Sequence, residues 1–216
     1  MKTTRAFLEN YKYLIVLISV FNFLLTPIHI SVTGWHPGFI VVVNYSIIIS
    51  TSSLLATSLK AKLPTYILGL LTLIFIWSEY MCPDTNSLKS GRLFMSFLLF
   101  TNFCVLLVKQ LTKMKMVNLR FILGPLLGFL YLGILGGILF EATHLLDSNS
   151  FQLPINSSGY TFYYFSFISI TTVGYGDVTP LTASAQSLTM ILNIIGQFYL
   201  ATVIGVFIGK YINIKS

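Results

Sequence analysis

Charge is what this chain has least of: only 9% of its 216 residues are Asp, Glu, Lys or Arg, and just six of them are acidic. A water-soluble globule of this length needs far more polar surface, so lipid must be its main solvent. A mean hydropathy of +0.83 and 55% hydrophobic residues agree. Cysteine is nearly absent too. Cys82 and Cys104 give neither a disulfide framework nor metal-ligand spacing. No nucleophile–base constellation, metal cluster or phosphate-binding loop is present, which leaves enzymatic activity unsupported. The net charge of +7 sits on short connections between apolar runs, where it reads as membrane anchoring and attraction to anionic lipid, not as nucleic-acid binding.

Runs of about 20 apolar residues suffice to cross a bilayer. Six occur, at 13–32, 38–59, 64–82, 93–111, 120–143 and 181–209. They predict an all-α integral membrane protein. The last run reaches about 43 Å as a helix, longer than the bilayer core requires, so a tilt is expected. Residues 160–171 are apolar and aromatic but too short to cross, as for a re-entrant helix buried in protein. The first run, preceded by Lys2, Arg5 and Lys12, is long and lacks a small-residue cleavage site, so it is expected to remain as a signal-anchor helix.

With the N-terminus in the cytoplasm, Lys2, Arg5, Lys12, Lys60, Lys62, Lys109, Lys113, Lys115, Arg120, Lys210 and Lys215 fall inside, and only Lys89 and Arg92 outside. Both termini are then cytoplasmic. The same orientation places Glu79, Asp84, Glu141, Asp147 and Asp177 outside.

Between the short aromatic helix and the last run stands Thr171-Thr172-Val173-Gly174-Tyr175-Gly176-Asp177. A pore that strips water from a monovalent cation must offer successive rings of oxygens, and inward-pointing backbone carbonyls supply them. Carbonyls face one side when ordinary and positive-φ residues alternate, which Gly174 and Gly176 permit. Val173 and Tyr175 are expected to point away from the axis and pack behind the strand. The Thr172 hydroxyl adds an innermost ring, and Asp177 at the outer mouth raises local cation concentration.

This string is the selectivity-filter signature of potassium channels, and residues 119–212 resemble the two-helix pore domain of the tetrameric potassium channel family. The whole chain resembles its six-span, one-pore members. The resemblance implies a homotetramer that conducts potassium passively, with residues 1–112 as a sensor-like four-helix bundle and 113–216 as the pore domain. Filter residues 172–176 would hold the ions: carbonyls of Thr172, Val173, Gly174 and Tyr175 coordinate potassium, with Gly176 closing the strand. Thr171 supports it, and Tyr164 would donate a hydrogen bond to Asp177. Ile168 stands where some members carry a carboxylate behind the filter, which sets their inactivation behaviour apart. Glu141 looks like the family's buried glutamate that ties the outer helix to the filter surround; the alternative is an ordinary interfacial acid. Gly196 occupies the family's hinge position, or serves close packing with Ala201, Gly205 and Gly209. Ile204 and Ile208 are candidates for a hydrophobic gate. A potassium-transporter subunit or a nonconducting regulatory subunit are the competing readings, and the intact Gly-Tyr-Gly argues against both.

The fourth run departs from voltage-gated relatives, having no arginine between Arg92 and Lys109. Moving one charge through 100 mV yields only about 2.3 kcal/mol, so a steep sensor needs several. Little voltage gating is expected. The segment 109–120, with Lys109, Lys113, Lys115 and Arg120, is either a linker helix that binds anionic lipid or a plain positive-inside anchor. Gly124, Gly128, Gly133 and Gly137 predict packing of the fifth run against the inner helix, and Pro125 and Pro180 are placed near helix starts. Asn156-Ser157-Ser158 is a glycosylation sequon. His29, His36 and His144 fall toward the outer side, where proton sensing is conceivable. With only 210–216 left beyond the last run, no attached ligand domain is expected.

Overall fold

The computed structural model describes residues 2–113, 119–155 and 157–215, with side chains for 11–112, 122–155, 157–203 and 205–206. It is helical almost throughout. Two compact units divide the chain, the described residues up to Leu127 and those from Gly128 onward.

The first unit opens with α1 (Lys2–Leu24) and α2 (Thr26–Thr33), which meet at a 59° bend. The expected single span is therefore broken, and Pro27 explains why. Proline has no N–H for the Phe23 carbonyl, and its ring crowds that oxygen. The Thr26 hydroxyl donates to Phe23 O instead, at 2.5 Å, and Pro27 takes a place in the first turn of α2, where no N–H is needed. Gly34, at φ +66, ends α2 in the left-handed conformation. There follow α3 (Pro37–Ser52) with a 3-10 turn (Ser53–Leu55), α4 (Leu59–Met81) and α5 (Asn86–Lys113).

Among the described residues, four helical stretches, Pro37–Leu55, Leu59–Met81, Asn86–Thr112 and Ile122–Leu146, are long and apolar enough to cross a membrane; the bent α1–α2 pair is either a fifth, broken span or a re-entrant loop. Their polarity is arranged for lipid. On α4, Leu63, Tyr66, Ile67, Leu70 and Ile74 are exposed, as suits a face against acyl chains. The polar residues turn inward and pair across helices, because an unpaired polar group in hydrocarbon is costly. Asn22 donates to Asn44 at 2.9 Å, Asn44 to Thr26 at 2.9 Å and Asn102 to Thr65 at 2.8 Å. Buried Lys12 reaches Gln110 Oε1 at 2.6 Å. Arg92 pairs with Glu79, joining α5 to α4. Edge-on rings Phe23, Tyr45, Phe100 and Phe103 form the core.

Helix α6 (Leu119–Leu146) leads into the second unit. Because it starts at Leu119, Pro125 lies inside it and not at its start. Strand β1 (Phe151–Gln152) precedes α7 (Tyr160–Ile170), and β2 (Thr179–Pro180) precedes the long α8 (Ala183–Lys215). Pro180 is thus a strand residue, close before the start of α8 at Ala183, as expected. β1 and β2 pair antiparallel, Phe151 opposite Pro180, and Leu181 N donates to Ser150 O at 2.8 Å. The chain entering α7 is therefore fastened to the chain leaving the 171–177 segment. Phe140, Phe151, Phe162 and Phe165 pack as one cluster, with centroids 4.9–5.7 Å apart.

The glycines of α6 bring α7 close. A Cβ at Gly133 would meet the Phe167 ring at 2.3 Å, and one at Gly137 the Tyr163 Cα at 2.9 Å. Gly128 alone of the expected four faces the inner helix, against Tyr199, while Gly124 faces Leu111 and Tyr13. The expectation that all four serve the inner helix is corrected accordingly: two of them, Gly133 and Gly137, make room for aromatic residues of the short α7.

Candidate functional site

Helix α7 ends in a Schellman arrangement that sets the course of the next residues. Thr172 N donates to Ser169 O at 3.0 Å and Val173 N to Ile168 O at 2.9 Å. The residue between these bonds must be left-handed, and Thr172 has φ +62. Glycine usually fills that place; a β-branched residue there is strained. Gly174 N adds a second bond to Ile168 O at 3.1 Å, and Thr171 folds its hydroxyl onto Phe167 O at 2.6 Å.

From there left-handed and ordinary residues alternate: Thr172 at +62, Gly174 at +53 and Gly176 at +79, with Val173 and Tyr175 between them at negative φ. Such alternation gathers N–H groups on one side of a strand and carbonyls on the other. The N–H groups of residues 172–174 point at the carbonyls of Ser169 and Ile168. In a trans peptide C=O is antiparallel to N–H, and no described peptide is cis. The carbonyls of Thr171, Thr172 and Val173 are therefore turned away from α7.

The segment lies open within one chain. A Cβ at Gly174 or Gly176 would meet nothing within 4 Å. Val173 is 50% exposed and Tyr175 73% exposed, so the expected packing behind the strand is not supplied by their own chain. The Thr172 hydroxyl has no partner among the described residues. Tyr164 donates to Asp177 Oδ2 at 2.8 Å, linking the outer turn of α7 to the far end of the segment. That bond, aided by the nearby carboxylate charge, pushes the phenol pKa up to about 12.

Around this segment, Glu141 brings its carboxylate to Gly159, the residue before α7; a Cβ there would lie 2.8 Å from Oε1. Negative charge at a helix N-terminus is favourable by about 0.3–1 kcal/mol. Ile168 is buried in the apolar cluster. Ser166, unremarked in the sequence, donates to Gly133 O at 2.7 Å and pins α7 to α6. Gly196 packs against Ile170, where a Cβ would come within 3.1 Å of Ile170 Cβ. Next to it Gln197 Nε2 donates to Ile170 O at 3.1 Å. Sequence reasoning missed Gln197, since no local pattern reveals a partner 27 residues away. His144 stacks on Phe162 at 5.1 Å, and Lys109 is exposed. The side chains of Ile204, Ile208, Lys113, Lys115 and Arg120, and Asn156 entire, lie outside the described residues.

Residues 127–213 match a family model described as "Ion channel". No curated protein matches the chain. The matched stretch runs from the Gly-rich part of α6 through α7 and the 171–177 segment into α8, and together with the apolar helices it supports an ion channel embedded in a membrane.

Proposed function

We propose that four copies of this chain surround a potassium-selective pore and conduct the ion passively, with filter carbonyls from Thr172, Val173, Gly174 and Tyr175. The observation that carries this reading is the alternation of φ at Thr172, Gly174 and Gly176, with the N–H groups of Val173 and Gly174 bonded to Ile168 O. A row of carbonyls facing away from its own helix cannot face hydrocarbon, where each unsatisfied group costs several kcal/mol. Water and a cation are suitable partners, so the segment belongs beside a water-filled path between copies. The exposed Val173 and Tyr175 and the exposed apolar residues Met190, Ile194 and Phe198 of α8 suit a cyclic assembly that covers them.

Potassium loses its hydration shell in this pathway, and successive carbonyl rings replace the lost oxygens. The Thr172 hydroxyl, without a partner among the described residues, contributes on the inner side. Asp177, held by Tyr164, sits at the extracellular mouth, and Glu141 braces the start of α7. The termini are cytoplasmic, by the distribution of basic residues. The N-terminal helices do not act as a steep voltage sensor.

Reconstitution of the purified chain in liposomes tests this directly. The reversal potential is expected to follow the potassium gradient and ignore the sodium gradient. A reversal potential that responds equally to both removes the reading.

A further inference from the structure

The carbonyls in the last turn of α7 are satisfied from close by, with one exception. Phe167 O receives Thr171, Ser169 O receives Thr172, and Ile168 O receives Val173 and Gly174. Ile170 O is met from another helix, by Gln197 Nε2 of α8 at 3.1 Å. One residue earlier, the backbone of α8 comes close to the same residue, since a Cβ at Gly196 would lie 3.1 Å from Ile170 Cβ, tighter than an ordinary contact. Two contacts of different kinds therefore hold Ile170, and Thr172 follows two residues later. Thr172 is in a left-handed conformation that a β-branched residue adopts only under constraint.

We propose that Gln197 is a positioning residue for ion selection: its amide fixes the end of α7 to α8 and thereby holds the Thr172 carbonyl and hydroxyl in register. The proposal rests on the potassium-pore reading above. A side-chain amide donating to a terminal helix carbonyl supplies a partner that water would otherwise provide in variable geometry. Without the amide, the Ile170–Thr172 stretch is free to relax its strained φ, and the innermost oxygen ring loses its fixed spacing. The contact also joins α8 to the filter mechanically, so a displacement of α8 at Gly196 is felt at Thr172.

The test uses the full chain in liposomes and reads relative sodium-to-potassium permeability from reversal potentials, at about pH 8 and about pH 3.5. Gln197→Met keeps the bulk and removes the donor. It is expected to raise relative sodium permeability about tenfold, the loss of roughly one hydrogen bond's worth of constraint per chain. Gln197→Glu gives a sharper readout. Its carboxylate repels the Ile170 carbonyl at the higher pH, whereas at the lower pH, below the ordinary glutamate value of about 4.3, the protonated acid donates an O–H to it. Selectivity should therefore be lost at about pH 8 and regained at about pH 3.5 in that variant only. The ionisable side chains of the packed elements, among them Tyr131, Glu141 and His144 of α6, Tyr160, Tyr163 and Tyr164 of α7, Tyr199 of α8 and Asp177 bonded to Tyr164, are shared with the wild-type chain, so the wild-type chain measured at both pH values supplies the baseline. A Met variant with wild-type selectivity, or a Glu variant whose selectivity ignores pH, overturns the proposal. The pH comparison within the Glu variant decides even if the Met variant does not fold. If the wild-type chain itself fails to discriminate the two ions, the potassium reading is what fails.

Discussion

Replacing Gly176 by Ala isolates the backbone conformation of the 171–177 segment from its packing. Beyond its chain neighbours, a methyl group at 174 or 176 meets no atom of the described residues within 4 Å, so its effect there is conformational. At φ +53 Gly174 lies inside the left-handed region open to L-residues, and at +79 Gly176 lies beyond it. An L-residue in left-handed geometry costs about 1–2 kcal/mol. In the proposed tetramer the four copies together oppose the carbonyl-presenting conformation by about 4–8 kcal/mol. At 1.4 kcal/mol per factor of ten, that removes about three to six orders of magnitude from its population relative to collapsed forms. The predicted result is loss of potassium selectivity in Gly176→Ala, read as a reversal potential in liposomes, and a milder loss in Gly174→Ala. Gly34→Ala is the control. It has the same kind of left-handed φ, +66, with open space around it, but sits at the end of α2, so it should cost similar stability and leave selectivity untouched. Native selectivity in Gly176→Ala, or equal losses in all three variants, would refute the reasoning.

Further consequences concern the supports. Tyr164 in its phenol form donates to Asp177, and its pKa is raised from 10.0 to about 12; the folded state thus favours the protonated form, and the stabilisation, complete below about pH 10, disappears as pH rises through about 12. The phenolate absorbance assigned to Tyr164, by difference from Tyr164→Phe, should move to lower pH in Asp177→Asn; an unchanged titration contradicts the assigned bond. Gly137→Ala drives a Cβ to 2.9 Å from the Tyr163 backbone and should destabilise the protein by about 1–3 kcal/mol, seen as a lower thermal midpoint. Glu141→Ala should weaken conduction or assembly, and wild-type currents with intact oligomers would dismiss its bracing role. Current–voltage records should show a shallow voltage dependence, since no arginine lies between Arg92 and Lys109; a steep relation with a large gating charge contradicts that expectation.

The spans α3 to α6 were legible because an apolar run of bilayer length has few other uses. The break in the first span was missed because the apolar run continues past Pro27, although the proline and the local bond from Thr26 to Phe23 O account for it. Strands β1 and β2 are two residues each, too short to leave a periodic pattern. In the site, Gly174 and Gly176 announced their positive φ, but Thr172 did not, since a β-branched residue is the last expected there. Its conformation follows from how α7 terminates. The bond from Tyr164 to Asp177 was legible only through the resemblance of residues 164–177 to a potassium-channel pore helix and filter. Gln197 and Ser166 were not, because each acts on a backbone oxygen of a distant element.

The central claim is that main-chain oxygens of Thr172, Val173, Gly174 and Tyr175 take the place of water around potassium. Anomalous diffraction from crystals of the whole chain grown in rubidium would locate the ions directly. The account predicts a file of peaks on the symmetry axis, each level with carbonyls of these residues from all copies; peaks elsewhere, or a segment turned outward toward lipid, would contradict it.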